Sequence, residues 1–600
     1  MSNKYENYSR DELIERIEEL RKQLNNEKYG LYFDRKSNAE IVVGKSQTTI
    51  PIIVSKFNLD IINGETNNII IEGDNFEVLS GLNMINSQNG MYDIIYIDPP
   101  YNTGNQDFIY NDKYVDSEDG FRHSKWLKFM ESRMVIAKSL LRENGLVFIS
   151  IDDNEQANLE LLCNAIFGEK NKITKFIWEK TQHFGRQKVN YYSNCEYILC
   201  YAKQLYDTTK FKLKELLVER INNELLDAPL YNASNPEKTL CFPKGSVKFN
   251  LNDGIYTQTN NELYILESPV IVKNNTNINE LVLRFRSRWS AETVINEYRK
   301  GTTFWVKTES FAIRTIYHDG KTSYVSPKQI IFTNNNNPMV VKSRTGIKVG
   351  VNEEATKELS GLLHSNLFSY PKPVSLIKYL ISLSFEYGVG DFSKSARVLD
   401  FFAGSGTTGQ AVLELNNEDG GNRTFTLVTN NENNIMTDVC YPRLKTVITG
   451  IRPDGTKYSD GIPANLRYFK SDFIDNSPSK DQSKYDLVEK CNDMLCISED
   501  SFDMIDNSNS YYIYENKHAD KLMSIFFDYF NKEQFDKMIS KIKNNSSENK
   551  IIYLFSLNNE IDSNEKQIIL DNIPDAIIKP IPSKMYEIYK KIVDDLKRNY

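Results

Sequence analysis

The stretch Tyr92-Asp-Ile-Ile-Tyr-Ile-Asp-Pro-Pro-Tyr101 joins an apolar strand to a rigid turn. The residues from Tyr92 to Ile97 are mostly of the β-branched and aromatic types that favour strands. Two prolines follow Asp98, where they restrict the backbone and remove two N–H donors. We therefore expect the Asp98 carboxylate and the Pro99 carbonyl to point outward as acceptors at the carboxyl end of a strand, beside the aromatic ring of Tyr101.

Strands alternate with helices on both sides of this stretch, which predicts an α/β fold with a mainly parallel sheet. The other predicted strands are Ile69–Ile71, Leu146–Ile151, Tyr197–Tyr201, Ala396–Asp400 and Thr424–Thr429. Helices are predicted after Gly73-Asp74-Asn75 through Leu82, from Ser124 to Leu141 and from Val374 to Phe385. Ligands of such sheets bind at the carboxyl ends of the strands. One sheet is therefore expected to be assembled from two distant pieces of sequence.

A glycine-rich loop, Phe401-Phe-Ala-Gly-Ser-Gly-Thr-Thr-Gly409, follows the strand that ends at Asp400. Gly404 to Gly409 satisfies the pattern G-x-G-x-x-G, which fits either a dinucleotide or the amino-acid end of S-adenosylmethionine. Glu432 lies where an acid would hold ribose hydroxyls in both cases. Asp400 favours S-adenosylmethionine, because a carboxylate attracts a cationic ligand and repels a pyrophosphate. A P-loop is excluded, since no Gly-Lys-Ser/Thr follows.

The tetrad Asp98, Pro99, Pro100 and Tyr101 has the groups needed to methylate an aromatic amine. The carboxylate of Asp98 and the carbonyl of Pro99 can accept both amine N–H groups and shift the nitrogen toward sp³ geometry. Tyr101 can stack on a base flipped out of the duplex. Direct in-line transfer then depends on positioning and electrostatics.

The type of base is also addressed by the sequence. Asp at position 98 favours adenine N6 over cytosine N4 as the methylated atom. Methylation of cytosine C5 is disfavoured, because that reaction needs a nucleophilic cysteine, typically after a proline, and none of the seven cysteines follows a proline.

Residues 205–360 interrupt the α/β pattern and are expected to be irregular, with a basic second half. The net charge of the chain is −8, yet basic residues outnumber acidic ones three to one between Arg284 and Lys348. A basic insert in an acidic chain predicts a surface for double-stranded DNA. The candidate DNA-binding residues are Arg284, Arg286, Arg288, Lys307 and Arg314, with phosphate contacts expected before base contacts.

The first three of these arginines alternate, so on a strand they would share one face. Aromatic residues interleave with the basic ones, and two interpretations stay open for them. They stack on bases or wedge between them, or they fill a small core beneath a solvated strand. These residues are Trp289, Phe304, Trp305 and Tyr324.

Asp98-Pro-Pro-Tyr-Asn-Thr-Gly104, together with Phe402-Ala-Gly-Ser-Gly-Thr-Thr408, resembles the β-class amino-methyltransferases of DNA. In that class the catalytic motif comes first, the target-recognition insert next and the cofactor loop last, which is the order in this chain. Over residues 10 to 475 the chain resembles in particular the modification subunits of type III restriction systems. The motifs that carry this resemblance are Ile71-Glu-Gly-Asp-Asn75, Asp107-Phe-Ile-Tyr-Asn-Asp112, His123-Ser-Lys-Trp126, Phe148-Ile-Ser-Ile-Asp-Asp-Asn-Glu155, Tyr370-Pro-Lys-Pro373 and Tyr441-Pro-Arg-Leu444.

The resemblance implies a Rossmann-like, S-adenosylmethionine-dependent methyltransferase fold of the α/β class with an inserted target-recognition domain and an α+β C-terminal domain. It implies that Asp74 and Glu432 hold the adenosine part of the cofactor and that Lys372 and Phe402 line its pocket. The full expected cofactor-binding set is Asp74, Lys372, Asp400, Phe402, Gly404, Gly406, Thr408 and Glu432. The expected domains are an N-terminal helical segment for dimerisation or for a partner (1–60), a catalytic half (61–204), a target-recognition insert (205–360), a cofactor-binding half (361–465) and a C-terminal accessory domain (466–600).

We expect a site-specific adenine-N6 DNA methyltransferase that serves as the modification subunit of a type III-like system. Residues 9–26 predict a helix that suits a homodimer contact or packing on its own domain, both readings being equally open. A restriction activity would need a separate ATPase-nuclease subunit, because the chain has no Walker lysine and its Glu515-Asn-Lys517 has no obvious partner acid. Scattered cysteines, few histidines and the lack of long apolar runs predict a cytoplasmic protein with no metal site and no membrane segment.

Other functions stay open at this stage. A cytosine-N4 methyltransferase or a solitary methyltransferase without a restriction partner would carry the same motifs. An NAD-dependent enzyme would explain the glycine loop and leave the tetrad unexplained. A methyltransferase for RNA or protein glutamine fits the amine chemistry, but the basic insert favours DNA. A catalytically idle DNA-binding subunit is disfavoured by the intact tetrad.

Overall fold

The computed structural model describes residues 49–59, 67–86, 90–104, 109–110, 113–114, 120–181, 193–208, 212–220, 228–316, 323–331, 349–365, 367–385, 394–475, 491–528, 531–555 and 561–581. They belong to two compact units. The first comprises the described parts of 1–216, 328–340 and 348–600, and the described residues of the second fall within 217–327. The predicted helix at 9–26 and the boundary at residue 60 lie outside the described residues.

Within the described chain, the first unit contains a ten-stranded sheet with the order β1-β10-β2-β9-β8-β3-β4-β6-β5-β7. Its strands are β1 (Thr49–Leu59), β2 (Asn67–Glu72), β3 (Tyr92–Ile97), β4 (Leu141–Ile151), β5 (Lys172–Glu179), β6 (Cys195–Ala202), β7 (Ile330–Ile331), β8 (Arg397–Asp400), β9 (Thr424–Thr429) and β10 (Asn465–Asp475). The run from β10 through β4 is parallel, whereas β1 and β6 are antiparallel to their neighbours. The predicted α/β fold with a mainly parallel sheet is confirmed.

The described helices of the first unit are α1 (Asn75–Ile85), α2 (Arg122–Leu140), α3 (Gln156–Cys163), α4 (Asn352–Leu363), α5 (Val374–Ser382), α6 (Thr407–Asp419), α7 (Tyr441–Thr449), α8 (Asn492–Glu499), α9 (Lys532–Asn544) and α10 (Ser563–Asn572). Helices α1 to α7 lie between these strands in sequence, and α8 to α10 follow β10. Every residue of β3 is buried, as expected for a strand of a parallel sheet with both faces covered. The prediction that the helix from Val374 reaches Phe385 was wrong: it ends at Ser382, and Ser384–Phe385 forms a short strand.

The remaining short strands of this unit have two residues each. They are Ile109–Tyr110, Lys113–Tyr114, Tyr206–Asp207 and Lys212–Leu213. No helix among the described residues is long and apolar enough to cross a membrane.

A second sheet lies in the C-terminal part of the first unit, with the order β11-β12-β13-β14-β15. Its strands are β11 (Asp503–Asn507), β12 (Tyr511–Asn516), β13 (Lys521–Phe526), β14 (Asn549–Phe555) and β15 (Ile577–Ile581). Met494 of α8 and Met523 of β13 share one apolar core with Ile53 of β1 and Leu79 of α1. The C-terminal sheet is therefore packed into the same core as the central sheet.

The second unit is rich in short strands, and the prediction that residues 205–360 are irregular was wrong for its described part. Its strands of two to six residues give little periodicity in sequence, and asparagine-rich turns separate them. They are Leu216–Arg220, Ala228–Pro229, Glu237–Phe242, Val247–Phe249, Gly254–Tyr256, Ile265–Leu266, Val270–Lys273, Thr276–Asn277, Leu281–Arg286, Thr303–Val306, Ile313–Ile316 and Ser323–Val325, with one helix at Ala291–Arg299. An apolar core that includes Phe242, Phe285 and Phe304 holds this unit together.

Candidate active site

Four acidic side chains follow the carboxyl ends of four neighbouring parallel strands. The strands β2, β9, β8 and β3 are adjacent in that order. Asp74 follows β2, Glu432 follows β9, Asp400 ends β8 and Asp98 follows β3. Because parallel strands end at the same edge of a sheet, the catalytic and glycine-rich motifs share one edge although about 300 residues separate them in sequence.

The catalytic loop is held by a lysine that lies far away in sequence. Nζ of Lys372 donates to Oδ2 of Asp98 at 2.9 Å, and the Tyr101 hydroxyl donates to Oδ1 of Asp98 at 2.8 Å. The Lys372 ammonium also lies 4.9 Å from the centre of the Tyr101 ring. Lys372 was predicted to line the cofactor pocket, and the structure brings it to the tetrad itself.

A second carboxylate, that of Glu196 on β6, reaches the same loop. Its Oε2 accepts from the Tyr101 hydroxyl at 3.1 Å and lies 3.4 Å from Nζ of Lys372, while its Oε1 accepts from Lys180 at 3.2 Å. Sequence reasoning missed Glu196. The available signal was an acid at the start of the apolar strand Glu196-Tyr-Ile-Leu-Cys200, where a lone charge requires a partner.

Burial and charge oppose one another at this cluster. Burial and the repulsion of Glu196 raise the pKa of Asp98 above its ordinary value, although Lys372 acts in the other direction. Burial would lower the pKa of Lys372, but Asp98 and Glu196 outweigh it and raise that pKa. Burial likewise opposes ionisation of Glu196, yet Lys372 and Lys180 lower its pKa below the ordinary value. The cluster therefore balances two carboxylates against two ammonium groups.

Two further hydrogen bonds fix the end of the tetrad and the residue that follows it. The indole Nε1 of Trp126 donates to the Pro100 carbonyl at 2.7 Å. Asn102, which is fully buried and has a φ of 57°, donates to Oε1 of Glu155 at 2.5 Å. The same Glu155 oxygen lies 2.6 Å from Nδ1 of His123. The turn after Tyr101 is thus fixed in a left-handed conformation that asparagine tolerates better than most residues.

The glycine-rich loop is organised around Asp400. Oδ2 of Asp400 accepts from the Thr408 hydroxyl at 2.5 Å and Oδ1 accepts from the Phe402 amide at 3.0 Å. Burial raises the pKa of Asp400 to about 7, with a smaller contribution from the Asp98 charge. Gly406, with a φ of 80°, immediately precedes α6 in a conformation that few other residues adopt. This arrangement brings Asp400, Phe402, Gly406 and Thr408 of the predicted cofactor set together.

Arg443 of α7 supports this loop from inside the protein and was not among the predicted site residues. It is fully buried, and its guanidinium donates to Oε1 of Gln410 at 2.7 Å, to the Thr407 hydroxyl at 2.8 Å and to the Ser405 hydroxyl at 3.0 Å. It also reaches the Ser405 carbonyl at 3.4 Å. Its position in Tyr441-Pro-Arg-Leu444 was the one available signal.

The two other acids of the predicted cofactor set, Asp74 and Glu432, are more exposed to solvent than Asp400. Asp74 caps α1, accepting from the Phe76 amide at 2.8 Å, and its other oxygen lies 3.3 Å from Arg133. Glu432 is exposed beyond the end of β9. Both remain predicted cofactor ligands.

The candidate DNA-binding residues lie in the second unit. Arg284 and Arg286 point away from the buried Leu283 and Phe285 on the strand Leu281–Arg286, so they share a face as predicted, while Arg288 lies beyond the end of that strand. Arg284 forms ion pairs with Glu267 at 2.5 Å and Glu237 at 3.4 Å.

The aromatic residues of this unit take different positions. Phe304 is fully buried, and Trp289 packs edge-on against it with ring centroids 6.1 Å apart. The Lys307 ammonium lies 4.6 Å from the centre of the Trp305 ring. Phe304 therefore belongs to the core. Lys307 and Arg314 remain candidate DNA contacts.

Comparison with known proteins gives consistent matches. A family model described as DNA methylase matches residues 92–441. The Mod subunit of the type III restriction-modification enzyme StyLTI from Salmonella typhimurium is 31% identical over 429 residues, which cover 67% of this chain and 58% of that protein. The EcoPI Mod subunit of Escherichia phage P1 is 29% identical over 459 residues, covering 71% of this chain and 67% of that protein.

A relative from another type of system also matches. The type II methyltransferase M.KpnI of Klebsiella pneumoniae is 28% identical over 439 residues, which cover 70% of this chain and 93% of that protein. The matched region thus spans less than two thirds of the length of the Salmonella relative but nearly all of the Klebsiella one.

Proposed function

The chain belongs to the DNA methylase family, and from this premise we propose that it transfers a methyl group from S-adenosylmethionine to N6 of adenine within a short DNA sequence. The observation that carries the proposal is the meeting of Asp98 and Asp400, with their loops, at the ends of the adjacent parallel strands β3 and β8. The loop of Asp98 offers hydrogen-bond acceptors for an amine, and the loop of Asp400 offers a glycine-rich turn for the cofactor.

The glycine loop fits the proposed cofactor. Gly404 and Gly406 both have positive φ values, 49° and 80°, so the backbone turns tightly and presents no side chain there. Asp74, Asp400 and Glu432 at the same edge have the charge that attracts a cation. When bound, the cofactor supplies an electrophilic methyl group on a positively charged sulfur.

The residues of the tetrad then perform the positioning. Asp98 and the Pro99 carbonyl accept the two N–H groups of the adenine amine, so the nitrogen lone pair turns toward the methyl donor. One face of the Tyr101 ring lies near the Lys372 ammonium, and we assign the other face to stacking on the flipped base. Asp98 is placed to take the proton that the amine loses after transfer, and its raised pKa suits that task.

The second unit is the proposed DNA-reading part of the chain. Arg286, Arg288, Lys307 and Arg314 supply phosphate and base contacts, while Arg284 is partly neutralised by its two glutamates. Phosphate contacts position the duplex, and contacts to base edges select the sequence.

We further propose that the protein is the modification and recognition subunit of a type III-like system, a homodimer that works with a separate ATPase-nuclease. The similarity to the StyLTI and EcoPI Mod subunits supports this. A solitary methyltransferase is the second candidate, favoured by the match to 93% of M.KpnI. An ATPase-nuclease that copurifies with the tagged protein from its native host would support the first, and a protein that purifies and methylates alone would support the second.

The experiment that tests the reaction is single-molecule sequencing of DNA from cells that express the wild type or Asp98→Ala. We expect N6-methyladenine at one short motif with the wild type and none with Asp98→Ala, because the carboxylate that orients the amine is gone. Asp153→Ala, an exposed acid at the end of β4 that binds Tyr197, is the matched control and should methylate normally. Normal methylation by Asp98→Ala would disprove the catalytic assignment. Detection of N4-methylcytosine with the wild type would change the proposed target base from adenine to cytosine.

A further inference from the structure

Glu196 is a buried carboxylate at the catalytic loop for which the proposed transfer has no task. Its side chain is 7% exposed, and it lies on β6, which is antiparallel to the neighbouring strand β4 and carries no motif of the tetrad or the glycine loop. An isolated charge at such a position is costly, so its three polar partners call for an explanation beyond packing.

Those partners are shared with Asp98. The Tyr101 hydroxyl has one proton, yet it lies within hydrogen-bond distance of Oδ1 of Asp98 (2.8 Å) and Oε2 of Glu196 (3.1 Å). The Lys372 ammonium likewise lies 2.9 Å from Asp98 and 3.4 Å from Glu196. The two carboxylates therefore compete for the single proton of Tyr101, and both attract the Lys372 ammonium, which has a donor for each.

We propose that Glu196 is a positioning residue: by competing for the single proton of the Tyr101 hydroxyl and by attracting the Lys372 ammonium from a second side, it weakens the hold of both groups on Asp98 and preserves the acceptor capacity that Asp98 needs for the amine of the target base. The proposal rests on the proposed methyl transfer for its consequences. It goes beyond that transfer because it concerns a residue to which the proposed transfer assigns no contact with base or cofactor.

A proton relay from Asp98 through Tyr101 to Glu196 would use the same contacts, but the charges oppose it. Lys372 and Lys180 lower the pKa of Glu196, whereas burial and Glu196 itself raise the pKa of Asp98. A proton released by the amine is therefore more stable on Asp98 than on Glu196. Positioning is the role that remains.

The titration of Asp98 depends on every charge around this cluster. Glu196 and Lys372 act on Asp98 directly, and Lys180 acts through Glu196. Within the described part of the chain, the titratable and charged groups that face Asp98 or Glu196 are Tyr96 of β3, Tyr101 of the catalytic loop, Asp152 after β4, Lys180 after β5, Cys195 of β6, Lys372 before α5 and Asp400 of β8.

The test is Glu196→Gln, measured by transfer of tritiated methyl from S-adenosylmethionine to plasmid DNA from methylation-deficient cells, over a range of pH. Glutamine keeps the shape and one acceptor but removes the charge, so the attraction of Lys372 is no longer shared with a second carboxylate and stabilises the ionised form of Asp98 more strongly. We expect the acid limb of the kcat profile to move down by about one pH unit. At pH 8 we expect kcat to fall about tenfold while KM for DNA and for the cofactor stays within about twofold, because an orientation of the reacting groups is lost.

Two controls separate positioning from general damage. Glu160→Gln removes a partly buried acid that binds Lys172 and Lys175 away from the tetrad, and it should leave the profile unchanged. Glu196→Asp keeps the charge, so the acid limb should stay in place even if the rate falls. A merely structural role for Glu196 would lower the amount of active enzyme without moving the limb, and that result would overturn the proposal.

A second readout does not require activity. Infrared difference spectra of protein with ¹³C-carboxyl aspartate, with Asp98→Asn to identify the signal, follow the ionisation of Asp98 directly. The proposal requires the Asp98 pKa to fall in Glu196→Gln and to be unchanged in Glu160→Gln; an unchanged pKa in both refutes it. If the wild type methylates no DNA, the proposed function fails, and this spectrum still decides the role of Glu196.

Discussion

Replacing Arg443 by methionine should disrupt the glycine loop and with it the binding of S-adenosylmethionine. Methionine fills much of the space without a charge but donates no hydrogen bond. The hydroxyls of Ser405 and Thr407 can rotate toward other partners, whereas Oε1 of Gln410 and the Ser405 carbonyl lose their donor. At about 1–3 kcal/mol for each unsatisfied buried acceptor, the loop loses about 2–6 kcal/mol.

The loop can avoid part of this cost by leaving its ordered conformation, and binding must then restore that conformation. If about half of a 3 kcal/mol loss of loop stability must be recovered when the cofactor binds, the binding free energy weakens by that amount and the affinity falls about tenfold. Isothermal titration calorimetry with S-adenosylmethionine measures this change. Hydrogen exchange over residues 401–410 measures the loss of order independently of binding.

Arg423→Met is the matched control. Arg423 is also buried and lies after α6, where it binds Asp419 at 2.8 Å and Asn416 at the end of the helix opposite the glycine loop. It should lower thermal stability without changing cofactor affinity or exchange in the loop. Wild-type affinity in Arg443→Met, or an equal loss of affinity in both variants, would refute the reasoning.

Two further predictions concern the cofactor and the DNA. Burial raises the pKa of Asp400 to about 7, so cofactor affinity should increase as the pH rises through 7, because the ionised carboxylate attracts a cation. Calorimetry from pH 6 to 8 should show this step in the wild type and lose it in Asp400→Asn; a step that persists would place the titrating group elsewhere. The triple variant Arg284→Ala, Arg286→Ala, Arg288→Ala should weaken DNA binding and reduce its salt dependence, as measured by fluorescence anisotropy at several salt concentrations. Arg284→Ala alone should contribute least, because Glu267 and Glu237 already neutralise it; unchanged binding by the triple variant would move the DNA surface elsewhere.

The sheet and the two motif loops were predictable because their signals are local. An apolar run such as Tyr92–Ile97 predicts a buried strand, and a Pro-Pro turn or a glycine run predicts the loop that follows it. Local sequence and the rule for parallel sheets were sufficient to place both loops at the carboxyl edge of one sheet. The strand order was not predicted, and the structure shows that β3 and β8 are neighbours, which brings Asp98 and Asp400 close together at that edge.

The partners of these motifs were not predictable in the same way. Glu196 and Arg443 act through contacts with residues 95 and 33–38 positions away, and nothing in their immediate sequence specifies those partners. Lys372 was assigned to the cofactor pocket by resemblance, and its contact with Asp98 in the structure is one that no local pattern specifies. The short strands of the second unit escaped prediction because three or four residues between asparagine-rich turns leave no period to detect.

The sheet order also bears on whether the proposed chemistry and the proposed DNA reading can change separately. Asp98 and the glycine loop are joined through the hydrogen-bonded pairing of β3 with β8, and both strands belong to the first unit. The second unit begins at residue 217 and the first resumes at 328, and the second unit has an apolar core of its own. A substitution in that unit is therefore expected to alter the proposed reading surface at little cost to the tetrad.

Lys372 and Glu196 lie on opposite sides of the insert in sequence, yet both reach Tyr101, so the return of the chain to the sheet completes the site. On this argument, the insert tolerates change as long as residues 328 onward still place Lys372 against Asp98.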